Sequence, residues 1–401
     1  MKITFNKTEK RFAFNKIFAL LCVLISFSCF SCRRFDNATE EREYKAEKLY
    51  KKQKTIKIAA AGPWAQKRDG LLNGILYARD IINENGGING ARVLIEVYDD
   101  NYNIENGQKI AYKISEDPEI CAVIGHQSSS ITVSNSLIYH FYGLLQISPK
   151  ATSIQYTNQG LDKVFRNISN DHELGRAAAD FCKTQNWNNM IIYQVNSEYG
   201  RDLSNGFELR CNQNDIYISA RTHFEGYDNI QNYLEDVKKW NSVYNYDAIF
   251  LAGTMPQTAE ICSILRDAGV DVPIISGDTM DYKSFFSIAN NRKIEDIYVV
   301  SNYDEDSDKE DFTLFKNGFE QKYESNIDQS TALGYDALMV LAQAIEKADS
   351  VKPAKVAKVL KEGKDFDTIL GPYHFAKDGN VLGMKIFVKK TENGKFVKVS
   401  K

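Results

Sequence analysis

The residues most suggestive of chemistry lie in Gly125-His126-Gln127-Ser128-Ser129, where an imidazole and two hydroxyls follow an apolar run. A base beside a nucleophile would suit acyl transfer. The sharp turn that exposes a nucleophilic serine needs Gly-x-Ser-x-Gly, however, and no such pattern is present here. Phosphate-cradling and dinucleotide glycine loops are also missing, and the five histidines (His126, His140, His172, His223, His374) have no paired ligand spacing. His126 therefore reads as a structural histidine at a strand end. The sequence predicts a non-enzyme with no catalytic residue, no metal and no cofactor.

Other polar residues at strand ends are better suited to holding a small molecule. Ser128 and Ser129 follow a strand and begin a helix, where hydroxyls and free N–H groups can receive a carboxylate; their ordinary role would be capping. Thr152 sits just after a strand end and can accept from an ammonium or donate to a carboxylate. Asp278 follows Gly277 at another strand end and could pair with an ammonium. Tyr199 offers an aromatic wall with one hydroxyl, and Trp64, in Gly62-Pro63-Trp64-Ala65-Gln66, could form a lid.

Short β-branched runs alternating with amphipathic stretches must position these groups, the mark of an α/β fold with largely parallel sheets. Residues 57–61 read as a strand. Asp69 can cap a helix with apolar positions Leu71, Ile75, Ala78 and Ile82, and Gly86-Gly87 stops it. A strand through Val93, Ile95 and Val97, a helix over 105–116 and a strand over 121–125 follow. The rhythm restarts after about residue 170, with strands at 190–195, 216–222, 248–251 and 272–276 and helices at 203–212, 230–240 and 258–268. Two doubly wound units imply two lobes.

Seven motifs now carry a family resemblance. Asn83 through Gly90, Tyr98-Asp99-Asp100, Val123 through His126 with Ser128-Ser129-Ser130, Ser148-Pro149-Lys150-Ala151-Thr152, Tyr199-Gly200, Ser276-Gly277-Asp278 and Gly371-Pro372 resemble, in order and approximate spacing, the leucine/isoleucine/valine-binding proteins of ABC importers. The resemblance runs from about residue 55 to 390. It implies a type I periplasmic binding protein fold, with two Rossmann-like lobes joined by a three-crossover hinge. Lobe 1 would comprise 55–170 plus 303–372, and lobe 2 would comprise 171–302 plus 373–401. Ligands of open α/β sheets bind beyond the carboxyl ends of the strands, where Ser129, Thr152, Tyr199 and Asp278 would project.

The resemblance also singles out departures. Lys67 stands where branched-chain members have an aromatic contact, Lys150 where they have a small residue beside the ligand and before Ala151, and Thr254 where they have an aromatic wall. An unpaired ammonium enclosed with an apolar side chain is costly. Either these lysines face solvent or the ligand carries an anionic or strongly accepting group. The expected function is capture of an amino acid or related carboxylate by flytrap closure and delivery to an ABC permease. The alternative is a sensory module of the same fold that signals through a partner.

The amino terminus sets the expected compartment. Lys2, Lys7, Lys10, Arg11 and Lys16 precede a short apolar run over 17–27, and Cys29 and Cys32 each follow Phe-Ser. This reads as a lipoprotein signal over residues 1–31, too short for a stable span, with lipid on Cys29 or Cys32. Residues 32–54 read as a charged tether. The signal holds five of the 50 basic and one of the 53 acidic residues, which leaves 45 against 52. Such a balance disfavours a nucleic-acid partner. The expected product is an extracytoplasmic, lipid-anchored monomer with about 350 residues for two cores. Cys121, Cys182, Cys211 and Cys262 read as buried thiols or as one or two bridges.

Overall fold

The structure is a computed structural model that describes residues 35–65, 70–225, 230–289 and 294–399. The signal, Cys29, Cys32, Lys67 and the Asp69 cap lie outside the described residues. The first sheet contains β1 (Thr55–Gly62), β2 (Arg92–Asp99), β3 (Ile120–Gly125), β4 (Leu145–Ser148) and β5 (Val164–Arg166), in the order β2-β1-β3-β4-β5. Every pair is parallel. Helices cover both faces, so β3 is buried throughout and reads as a continuous apolar run with no alternation.

The second sheet contains β6 (Asn189–Val195), β7 (Tyr217–Phe224), β8 (Ala248–Ala252), β9 (Ile274–Ser276) and β10 (Ile297–Ser301). After β10 the chain returns to the first lobe, where it forms a small antiparallel ribbon of β11 (His374–Phe375) and β12 (Val381–Leu382). Antiparallel β13 (Phe387–Glu392) and β14 (Lys395–Lys398) then complete the second sheet, in the order β14-β13-β10-β9-β8-β6-β7. The order reverses beside β1 in one sheet and beside β6 in the other, and the carboxyl ends at these switch points open a crevice.

Each lobe is locked by a pair of closely packed helices. A Cβ at Gly74 would overlap the Thr331 carbonyl and one at Gly334 the Leu71 carbonyl, so Leu71–Glu84 and Gln329–Ala348 meet backbone to backbone. Gly175 and Gly206 permit the same approach between Asp171–Thr184 and Glu198–Gln213. The latter helix begins five residues before its expected start, because Ser197 caps it by accepting from Gly200 N–H at 3.1 Å. All four described cysteines are buried free thiols, and burial pushes each up.

Two boundaries differ from the sequence reading. Within the supposed tether, Ala38–Gln53 is a helix docked on the first lobe. Its anchor is Arg42, which donates to the carbonyls of Tyr142 at 2.9 Å, Asp117 at 2.8 Å, Ser115 at 2.5 Å and Ile120. Beside Arg42 this helix buries only Ala46, Leu49 and Tyr50 among many charged residues, so composition alone suggests a solvated stretch. The return to the second lobe also comes later than residue 373. Tyr373, Phe375 and Val381 are buried in the first core, and Arg166 N–H donates to Gly379 O at 3.1 Å. The third crossing therefore falls between Leu382 and Phe387, since strands of two residues carry no readable period.

Candidate functional site

Of the residues singled out from the sequence, Lys150 and Thr254 line one cavity where the two lobes meet. Ser129 opens the helix Ser129–Phe141 at the end of β3, with Ser128 as a cap residue that makes no side-chain capping bond. Ser129 Oγ accepts from Ser153 N–H at 3.3 Å. After β4, Ser148 Oγ accepts from Ala151 N–H at 3.0 Å, so the turn carrying Lys150, Ala151 and Thr152 is pinned to its own strand. Ala151 is wholly buried, and its carbonyl accepts from Arg166 at 3.1 Å.

From the second lobe, Asp278 begins a 3-10 turn (Asp278–Met280) at the end of β9 and is 1% exposed. Tyr199 donates toward Asp278 Oδ1 at 3.4 Å and lies 3.2 Å from Thr279 Oγ1. Burial pushes the Asp278 carboxyl up, while Lys150 opposes that shift. Lys150 Nζ lies 3.7 Å from Asp278 Oδ2, 3.1 Å from Tyr282 Oη and 3.4 Å from Gln329 Oε1. Tyr282 Oη in turn lies 2.7 Å from Ser330 Oγ. Lys150 therefore joins the first lobe to the second and does not face solvent.

A cavity of about 440 Å³ adjoins Lys150, and Thr254, Thr279, Tyr282 and Asp328 supply polar groups to its wall. Trp64 is placed differently. Its ring lies against Gly62 at the end of β1 and packs on the first core, and its buried Nε1 makes no hydrogen bond. His126 is enclosed between Asp100 Oδ2 at 2.7 Å and Tyr139 Oη at 3.0 Å, the environment of a structural histidine. Among the described residues, no three His, Cys, Asp or Glu side chains converge as a metal site.

Several crevice residues escaped the sequence reading. Tyr282 and Gln329 touch Lys150. Ser153 Oγ reaches Asp202 Oδ2 at 2.7 Å and Glu198 Oε1 at 3.0 Å, across the crevice from the first lobe. Asp171 is fully buried, and neither carboxylate oxygen makes a hydrogen bond of normal geometry. Burial pushes its carboxyl well up, Thr152 opposes that, and Asp278 and Asp202 add to it. Ser153 and Tyr282 are close in sequence to Thr152 and Asp278, which was the available signal. Asp171 begins the helix Asp171–Thr184, and no motif in the sequence singled it out.

The family described as periplasmic binding protein matches residues 58–395. The chain belongs to that family. The binding protein is 28% identical over 326 residues to Leu/Ile/Val-binding protein homolog 1 of Brucella abortus, covering 81% of this chain and 86% of that protein. It is 27% identical over 339 residues to the Leu/Ile/Val-binding protein of Escherichia coli, covering 82% and 88%. Among solved structures it is similar to an ABC transporter substrate-binding protein from Desulfitobacterium hafniense in complex with Leu. That match has a TM-score of 0.78 and 30% identity, and covers 86% of this chain and all of that one. These relatives are solute-binding proteins, and the binding protein shares their type I fold of two Rossmann-like lobes.

Proposed function

We propose that this chain is an extracytoplasmic solute-binding lipoprotein that captures an amino acid or related small carboxylate between its lobes and delivers it to an ABC importer. The observation that carries this reading is the meeting of Lys150 from one lobe with Asp278 and Tyr282 from the other, beside a cavity of about 440 Å³. Ser129, which accepts from Ser153 N–H, Thr152, and Tyr199, which reaches Asp278, are the further candidates for ligand contact. A ligand gripped by both lobes gains its full contact set only when they close, so binding shifts the population toward the closed form. The names of the relatives support an amino acid or a close analogue as ligand. Lipid on Cys29 or Cys32 would keep the protein beside its importer.

A panel of amino acids and small carboxylates tests this reading. A bound ligand should stabilise the fold by RT ln(1 + [L]/Kd), about 2.7 kcal/mol at a hundredfold excess, and be recovered unchanged. Turnover of the ligand on prolonged incubation would instead indicate an enzyme.

A further inference from the structure

Lys150 and Asp278 were expected to serve different parts of a ligand, one an anionic group and the other an ammonium. In the fold they serve each other. Lys150 Nζ lies 3.7 Å from Asp278 Oδ2, with the two side chains 7% and 1% exposed. The ammonium is also located by Tyr282 Oη at 3.1 Å and by the face of that ring, whose centroid is 5.5 Å away. We propose that Lys150 supplies from within the chain the cation that an amino-acid ligand would bring to Asp278, so that the ligand of this cleft is a carboxylate without an α-amino group. This inference rests on the solute-capture reading.

Three observations bear on it. A ligand ammonium at Asp278 would lie beside the Lys150 ammonium in a site largely closed to water, where like charges repel strongly. The neighbouring acids offer no substitute: Ser153 bridges Asp202 and Glu198, and burial drives Asp171 toward its neutral form. The adjoining cavity is walled on its apolar side by Met255, Pro256, Ile288 and Ile327. Its open space suits a short hydrocarbon body whose carboxylate reaches the Lys150 ammonium at one end.

L-leucine and 4-methyl-2-oxopentanoate have the same carbon skeleton and differ only at the α carbon, so calorimetric titration of the chain with both separates the cases. The oxo acid should bind at least about tenfold more tightly, because it brings no ammonium against that of Lys150. In Lys150→Met, Asp278 is freed and the preference should move toward L-leucine by about tenfold or more, whereas Lys150→Arg should keep the wild-type order. Equal or tighter binding of L-leucine by the wild type, or an unchanged preference in Lys150→Met, overturns the inference and leaves solute capture standing. If no member of a wider amino-acid and carboxylate panel binds the wild type, solute capture itself is overturned, and this inference with it.

Discussion

Asn302 accepts from Ser169 N–H at 3.0 Å and donates through Nδ2 to Ser169 Oγ at 2.9 Å, and the same Nδ2 donates to Lys385 O at 2.8 Å. Ser169 lies on the first crossing between the lobes, Asn302 on the second and Lys385 on the third. One buried amide therefore joins all three strands of the hinge.

Replacing Asn302 by Leu leaves the buried Ser169 N–H and the part-buried Lys385 carbonyl without their partner. Each such group costs about 1–3 kcal/mol. Urea unfolding should show a loss of about 2–4 kcal/mol, and a loss under 1 kcal/mol would mean that the amide is replaceable by water.

Lys389 Nζ meets both oxygens of Asp281, at 2.8 and 2.7 Å, with both side chains almost wholly buried in the second lobe. Removing one partner strands the other charge. Lys389→Met should cost about 3–5 kcal/mol, while Lys389→Met with Asp281→Leu should recover most of it. Additive losses in a double-mutant cycle would contradict this pairing.

Arg42 carries the docking of the Ala38–Gln53 helix, and its burial draws the guanidinium down to about 10, still charged at neutral pH. Arg42→Met should cost about 2–4 kcal/mol, because four carbonyls, those of Ser115 and Ile120 buried, lose a charged donor. Limited trypsin digestion should then cut faster at Lys45, Lys48, Lys51 and Lys52 than in wild type. Equal cutting rates would show that the apolar contacts of Ala46, Leu49 and Tyr50 suffice.

Asp336 predicts a pH dependence. Burial pushes its carboxyl up to about 7, although Ile369 N–H and Leu370 N–H donate to its oxygens at 3.0 and 3.2 Å. Its folded pKa lies above its unfolded value, so the folded chain holds the extra proton between the two. The stability this group contributes is full below about 4 and is lost as pH rises through about 7, by up to about 4 kcal/mol. Chemical unfolding of wild type and Asp336→Asn from pH 4 to 8 should show a steeper fall in wild type than in the variant, and equal slopes would contradict this assignment.

Alternating apolar runs and helix periods in the sequence announced two doubly wound lobes, and the strand assignments together with the family resemblance put Ser129, Thr152, Tyr199 and Asp278 beyond strand ends. These features are local, set by the pleat, the 3.6-residue turn and the cap, and so are legible residue by residue. The partners of Lys150 were not. A lysine in Ser-Pro-Lys-Ala-Thr reads the same whether it points to solvent or to a carboxylate on the other lobe, and only the packing of the lobes brought Asp278, Tyr282 and Gln329 around it. The same holds for Arg42, which lies in a stretch whose charge argued for solvation, yet four carbonyls from distant parts of the chain close over it. Burial of a charge depends on groups far away in the chain, and that information exists only in the tertiary fold.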